Sequence, residues 1–187
     1  MPKDDLNYKF TENGIVYDFY DVFVPAENFR QPTLFTFGWN NSSQLGINNT
    51  TNSLTPVTTF AGGTTWKQVS AGNQHTAAVK TDGSLWVWGR NNNAQLGTND
   101  TTQRNTPVTT FAGGNTWKQV SSGEYNVAAI KTDGTLWTWG LGTYGTVGNN
   151  SNQNRSTPVT TFAGGNNWKY VTCGNQHTAA IKYQPDP

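Results

Sequence analysis

One stretch of this sequence could bind the phosphates of a nucleotide. Residues 140–145 read Gly-Leu-Gly-Thr-Tyr-Gly. A G-x-G-x-x-G run holds a dinucleotide when it follows a strand and opens a helix, because the helix N-terminus then faces the phosphates. Here no helical pattern follows, and the equivalent positions beginning at Gly38 and Gly89 carry no such run. The sequence therefore predicts no nucleotide site.

Histidine, aspartate and glutamate offer the other candidates for catalysis or metal binding. His75 and His177 occupy the same repeat position, which places them around a ring, and no carboxylate or thiol stands at metal-ligand spacing to either. A buried histidine whose ring nitrogens bond the backbone is the simpler interpretation. Asp82 and Asp133 lie in Asp-Gly turns, and Glu124 has no second carboxylate or base beside it for proton transfer. The sequence thus predicts no enzyme, no metal and no cofactor.

Three near-copies of one segment must position these residues. Trp66, Trp117 and Trp168 are 51 residues apart, and the glycines and prolines of the segment keep the same step. A period of this length is typical of stacked units that bury their apolar faces only against their neighbours. The copies cover residues 34–84, 85–135 and 136–187.

Each copy is predicted to contribute four short strands. Around the second copy they are Leu85–Trp88, Thr106–Phe111, Trp117–Val120 and Asn126–Lys131, and an Asp-Gly turn then leads into the next copy. Four antiparallel strands repeated radially make propeller blades. The predicted fold class is therefore all-β, a β-propeller of three 51-residue, four-stranded repeats.

The segment from Trp66 to Gly97 carries a resemblance to a known family. Its order is W-K-x-V-x-x-G-x-x-H-T-x-A-x-K-x-D-G-x-L-W-x-W-G-x-N-x-x-x-Q-L-G. This order resembles the regulator-of-chromosome-condensation repeat, and the resemblance covers about four-fifths of the chain. It implies a β-propeller, commonly of seven blades. It also implies the roles that this family has, which are nucleotide exchange on a small GTPase, inhibition of an enzyme, and scaffolding.

Cut into the blades of that family, the chain contains two whole blades, Trp66–Phe111 and Trp117–Phe162. It also contains the outer half of a blade, Leu34–Phe60, and the inner half of another, Trp168–Tyr183. Unpaired strand edges invite pairing, and three blades are fewer than the ~4–8 of known propellers. We therefore expect completion by head-to-tail oligomerisation, with a dimer favoured. A larger ring, a filament, or a blade from another protein are the alternatives.

Aromatic residues are expected to fill the space between blades. Trp86 and Trp88 are alternate positions of one strand and should share a face, and Phe35 and Phe37 take their places in the first copy. Aromatic side chains bury ~150–250 Å² each. We expect all of these rings to belong to the core.

Residues 1–33 lie outside the repeat and are predicted to form an N-terminal β-hairpin arm. Segment 7–24 alternates as two strands around a Thr-Glu-Asn-Gly turn, in which Asn-Gly supplies the positive φ of a tight turn. The candidate contact residues of this arm share one face of its second strand and are Tyr17, Phe19 and Phe23. The arm packs on its own propeller or docks on another subunit, and the sequence leaves both open.

The loops Ile47–Leu54, Thr98–Asn105 and Asn149–Ser156 differ between the copies, whereas the strands barely change. Equivalent loops of a propeller emerge on one face, so a constant scaffold presents a variable surface of Asn, Thr and Ser. Arginine is favoured at interfaces, and a tryptophan at this surface is a further candidate. The candidate interaction residues are therefore Trp39, Arg104 and Arg155. The alternative is that the loops are solvated connections without a partner.

Composition limits the partners and the location. The net charge is +1 and charged residues make up 12% of the chain, so no basic field indicates a nucleic-acid partner. No apolar run approaches the ~18 residues of a membrane span, and the N-terminus lacks the apolar core of a signal peptide. We expect no membrane partner and a cytoplasmic location, or the virion if the protein is viral.

Taken together, these features predict a non-catalytic structural or protein-interaction module. An acidic, aromatic arm joined to a few repeats resembles, in general design, virion proteins on the head or tail surface of tailed phages. A subunit of such an assembly, with itself and other subunits as partners, is the first interpretation. The alternative is a regulatory binder, such as a small-GTPase exchange factor or a protein inhibitor of an enzyme.

Overall fold

The structure is a computed structural model that describes residues 9–12, 15–18, 32–63 and 65–183. The chain forms two compact units, Met1–Gln31 and Pro32–Pro187. In the described residues, no helix is long and apolar enough to cross a membrane.

The first unit contains the predicted hairpin. Lys9–Glu12 (β1) and Ile15–Asp18 (β2) pair antiparallel, with Glu12 opposite Ile15. Strand β1 thus takes up the first two of the four residues predicted for the turn, and the other two lie outside the described residues. Tyr17 lies in β2, opposite Phe10. Phe19 and Phe23 lie outside the described residues, as does the rest of the predicted second strand.

The second unit is built from short antiparallel strands that follow the repeat. The first pair is Phe35–Gly38 (β3) and Ser53–Thr58 (β4). The next four are Trp66–Ala71 (β5), His75–Lys80 (β6), Leu85–Gly89 (β7) and Arg104–Thr109 (β8). They are followed by Trp117–Ser122 (β9), Asn126–Lys131 (β10), Leu136–Gly140 (β11) and Arg155–Thr160 (β12). The last pair is Trp168–Cys173 (β13) and Thr178–Lys182 (β14).

These strands form two whole blades and two half-blades, as predicted. Strands β5 to β8 make one four-stranded sheet in chain order, and β9 to β12 make the second. The outer pair β3–β4 and the inner pair β13–β14 are two-stranded sheets. Strand β8 begins at Arg104, opposite Gly89, two residues before the predicted start. Pro107 lies in this edge strand, where a missing N–H breaks no ladder bond.

Side chains join the inner strands of successive blades. Gln68 in β5 donates through Nε2 to the Val120 carbonyl of β9 at 3.0 Å, and its Oε1 accepts from the Val120 N–H at 3.0 Å. Gln119 in β9 repeats the first of these bonds, to the Val171 carbonyl of β13 at 3.0 Å. A glutamine side chain of one blade thus bonds to the backbone of the inner strand in the next blade.

Tryptophans fill the space between blades. Trp86 and Trp88 both meet the ring of Trp66 edge-on, with centroids 6.3 and 6.1 Å apart, so they share a face as predicted. Trp88 is fully buried, and its indole N–H donates to the Gln44 carbonyl at 2.8 Å. The same carbonyl also accepts a hydrogen bond from the hydroxyl of Thr76. Trp139 is equally buried and donates to the Gln95 carbonyl at 3.0 Å.

Phe35 and Phe37 do not belong to the core, contrary to the sequence-based expectation. They occupy the slots of Trp86 and Trp88, yet Phe37 is 65% exposed, and Phe35 is exposed as well. The equivalent tryptophans are covered because a complete blade contains the first and second strands, which the β3–β4 half-blade lacks. Burial of this slot therefore depends on a neighbour that this half-blade does not contain.

Candidate functional site

A buried asparagine organises the first two loops between third and fourth strands. The Asn40 side chain accepts a hydrogen bond from the Leu45 N–H at 2.9 Å and donates to the Asn49 carbonyl at 3.0 Å. Asn91 makes the equivalent pair of bonds in its own loop, at 2.9 and 3.0 Å. Both asparagines are fully buried, so each one fixes two distant points of its loop from below.

The third loop contains the G-x-G-x-x-G run and uses a glycine in place of that asparagine. The Gly142 N–H donates to the Asn154 side chain at 3.0 Å. A methyl group added at Gly142 would lie 2.1 Å from the Gln153 carbonyl oxygen, so close packing of the loop requires this glycine. Thr143–Gly145 form one short 3₁₀ turn, where the sequence predicted no helix. A single turn of this kind is not the helix that a dinucleotide site needs.

The three predicted contact residues of these loops have different surroundings. Arg104 is half-buried and holds its own loop, because its guanidinium lies 2.6 Å from the Asp100 carboxylate and 3.0 Å from the Thr102 carbonyl. Arg155 is half-buried at the start of β12, opposite Gly140. Trp39 is 46% exposed and lines a groove next to β3.

The turns after the first strands emerge on the same face as the loops. The Arg90 N–H donates to the Gln74 carbonyl at 2.8 Å, which joins the β5–β6 turn to the loop after β7. The Arg90 guanidinium lies 5.9 Å from the ring of Tyr125. A hydrogen bond with Glu124 raises the pKa of the Tyr125 hydroxyl. A depression of about 310 Å³ lies between these turns, and it is lined by Asn73, Glu124 and Asn175 among others.

The two histidines have different surroundings, although they share a repeat slot. His75 is fully buried, and burial lowers its pKa from 6.5 to about 4, so the ring is neutral at pH 7. In residues 32–63 and 65–183 neither ring nitrogen has a hydrogen-bond partner, so the predicted bonds to the backbone are not made. His177 is exposed. The described residues contain no group of three His, Cys, Asp or Glu side chains placed to hold a metal ion.

Sequence reasoning missed two apolar features. The first is a groove of about 530 Å³ beside β3, lined by Phe35, Trp39 and Val69 among others. The second is a row of exposed phenylalanines after the fourth strands, which consists of Phe60, Phe111 and Phe162. The motif T-T-F-A-G-G repeats in every copy. Its phenylalanine comes just after the fourth strand each time, so the sequence contained a signal for the second feature.

A family model matches all three copies. The regulator of chromosome condensation (RCC1) repeat matches residues 33–79, 82–130 and 133–181. A second model of the same repeat matches residues 66–95 and 117–146. The matched segments follow the repeat period and include every strand of the second unit except the last residue of each second strand, which is Lys80, Lys131 or Lys182.

Relatives and solved structures share the repeat over most of this chain. The ultraviolet-B receptor UVR8 of Arabidopsis thaliana is 35% identical over 154 residues, which cover 80% of this chain and 35% of UVR8. The probable E3 ubiquitin-protein ligase HERC4 of Homo sapiens is 31% identical over 159 residues, which cover 79% of this chain and 14% of HERC4.

The fold is shared with Prp20p of Saccharomyces cerevisiae, with a TM-score of 0.69 and 19% sequence identity. This match covers 81% of the present chain and 40% of Prp20p. The chain therefore spans well under two thirds of each of these proteins. Since the model of the repeat matches most of its length, the chain belongs to the regulator of chromosome condensation (RCC1) repeat family.

Proposed function

We propose that this chain is a non-catalytic protein-interaction module of the regulatory-binder kind, and that it binds its partner through its loop face. The loop face consists of the exposed residues of segments 39–52, 90–103 and 141–154. The observation that supports the proposal is the internal support of each loop beneath exposed side chains that differ between the copies. A preorganised loop loses little entropy on binding, so its variable side chains are free to determine specificity.

The relatives favour this function over a phage virion protein. UVR8 is a receptor, HERC4 a probable ligase, and Prp20p a protein whose binding to Gsp1p and histones has been described. Prp20p has named protein partners, and this supports a protein partner for the present chain. A small GTPase or an enzyme is the partner class we propose. Ligase activity is not proposed, because the matched segment is 14% of HERC4. A cytoplasmic location stays a prediction from the sequence.

The test compares a loop-face variant with a matched control. The variant combines Asn41→Ala, Asn92→Ala and Tyr144→Ala, three exposed residues from the three loops. The control combines Thr81→Ala and Thr132→Ala, exposed residues of the turns at the opposite end of the blades. Proteins captured by the parent chain are identified by mass spectrometry, purified, and their dissociation constants measured against all three proteins.

We expect the loop-face variant to bind at least tenfold more weakly than the parent, and the control to bind as the parent does. If the captured partner is a GTPase, release of a fluorescent nucleotide should be faster with the parent than with the loop-face variant. Equal dissociation constants for the parent and the loop-face variant would place the binding surface elsewhere and refute the proposal.

We also propose that the partners of this module include a second copy of itself, with a dimer as the favoured form. The support is the pair of half-blades, each of which lacks two strands of a blade. Residues 1–33, with Tyr17, Phe19 and Phe23, are proposed as a separate arm that anchors the module to other subunits, in agreement with their position outside the repeat. The propeller repeats are then residues 34–187.

A further inference from the structure

In the described residues, β3 and β14 each present a free edge that is paired at the same place in the whole blades. In each whole blade the second strand lies between the first and the third. Within residues 32–63 and 65–183, β3 pairs with β4 alone, and β14 pairs with β13 alone. In repeat terms β3 is a third strand without a second strand, and β14 is a second strand without a third. Each of the two is therefore the element that the other lacks.

The side chains at these edges are exposed because no neighbouring strand covers them. Phe37 is 65% exposed, whereas Trp88 in the same repeat slot is fully buried. Ile181 in β14 is 57% exposed, whereas Val79 in the same slot of β6 is fully buried. The exposed residues are apolar on both edges, so pairing the edges would bury apolar surface on both sides.

We propose that β14 of one copy pairs antiparallel with β3 of a second copy and so completes a four-stranded blade. This inference deepens the proposed function and rests on its self-association part. In the whole blade, β6 pairs with β7 so that Thr76 lies opposite Trp88. The same repeat slots place Thr178 of one copy opposite Phe37 of the other. The sequence of β14, Thr-Ala-Ala-Ile-Lys, differs from residues 76–80 of β6 only by isoleucine in place of valine.

A cavity beside β14 matches the ring that this pairing would bring. At the internal junctions, the indoles of Trp88 and Trp139 each lie on a glycine of the preceding blade, which has no room for a methyl group. The third glycine of this series, Gly148, instead borders a cavity of about 240 Å³, lined also by Trp168. Phe37 of the second copy occupies the tryptophan slot, and its ring fills this cavity.

The inner strands supply a second match. Val120 in β9 and Val171 in β13 are both buried, each next to the inner strand of the preceding blade. For Val120 that strand is β5, from which the Gln68 side chain bonds to the Val120 carbonyl. Val69, in the same slot of β5, is 48% exposed and lines the groove beside β3. Tyr170 stands in the glutamine slot of β13 and is exposed. In the completed junction Tyr170 of one copy covers Val69 of the other.

A two-fold axis would use this junction twice and leave neither edge free. The ring would then contain six blades, within the ~4–8 that propellers adopt. A dimer is therefore the closed form, and each completed blade takes one half from each copy.

The first test measures native mass by light scattering at micromolar concentration. The parent chain should be a dimer. Phe37→Asp and Ile181→Asp should each raise the dimer dissociation constant at least tenfold, and Phe111→Asp, at an equally exposed phenylalanine away from the junction, should leave it unchanged. Circular dichroism checks that the variants remain folded. A folded parent monomer, or a dimer that both junction variants preserve, overturns the proposal.

The second test fixes the register with a disulfide. In a Cys173→Ser background, Phe35→Cys and Ala180→Cys occupy the slots of Trp86 and Ala78, which lie opposite each other in the whole blade. Oxidation of this pair should give a covalent dimer, whereas Leu54→Cys with Ala180→Cys should not. Equal yields from both pairs contradict the register. The loop-face variant of the preceding section should still dimerise, so failure of partner binding and failure of this junction are separate results.

Discussion

Replacing His75 by asparagine should make the protein less sensitive to acid, so that it loses less stability in mildly acidic solution than the parent does. Burial lowers the pKa of His75 from 6.5 to about 4. Because the folded-state pKa lies below the unfolded value, the unfolded chain binds more protons between these two pH values. The contribution to stability is therefore fully present above about pH 6.5, and it is lost as the pH falls towards 4.

The size of this effect follows from the shift. A lowering of about 2.5 pKa units corresponds to about 3 kcal/mol, at 1.36 kcal/mol for each unit. Only part of it appears above pH 4, and between pH 7 and pH 5 the expected loss is about 2 kcal/mol. Asparagine is a suitable replacement, since Asn126 occupies the same slot of the next blade and is also buried.

The measurement is urea unfolding followed by tryptophan fluorescence at pH 7 and pH 5, with Phe37→Asp present in every protein so that all are compared as monomers. The parent should lose about 2 kcal/mol more between the two pH values than His75→Asn does. His177→Asn serves as the control, because His177 occupies the same slot but is exposed, and it should behave as the parent. If the parent and His75→Asn lose equal free energy, the buried ring is not the origin of the acid sensitivity.

Three further predictions concern the packing and the loops. Trp139→Phe should destabilise the chain by about 1 kcal/mol more than Trp88→Phe does. In the described residues the Gln95 carbonyl accepts only from Trp139, whereas the Gln44 carbonyl beneath Trp88 keeps its bond from a threonine hydroxyl. Urea midpoints measure this difference, and equal midpoints would contradict it. Gly97→Ala should unfold at lower urea than Gly113→Ala, because its methyl group would lie 2.8 Å from an indole whereas the other has open space. Arg104→Ala should destabilise the protein by less than about 1 kcal/mol, yet speed limited proteolysis of its loop.

The strand order and the division into blades could be predicted because the repeat gives each element three times. A single copy leaves strand limits open, but Trp66, Trp117 and Trp168 fix the same start in every copy. The face shared by Trp86 and Trp88 follows from the two-residue period of a strand. Local pattern and repeat register thus determine the strand order and the shared faces within one blade.

Burial at the half-blades could not be predicted from those patterns. Phe35 and Phe37 have a core pattern and are exposed, since their burial depends on strands that are distant in the repeat order. The ion pair of Arg104 could have been expected from the sequence, because Asp100 stands four residues before it in the same loop. Tyr170, which differs from the glutamine of the other two copies, was a sequence signal of the open junction that went unused.

Contacts between blades add to those within each sheet, and this gives equivalent slots different consequences. Trp88 and Phe37 share a slot, but Trp88 packs against a blade of its own chain, whereas Phe37 faces a half-blade edge. Removing the ring of Trp88 creates a cavity inside the chain and should destabilise it by about 3–5 kcal/mol. Removing the ring of Phe37 should leave the stability of the monomer nearly unchanged and weaken association instead. If both changes affect only unfolding, the free edges of β3 and β14 take no part in assembly.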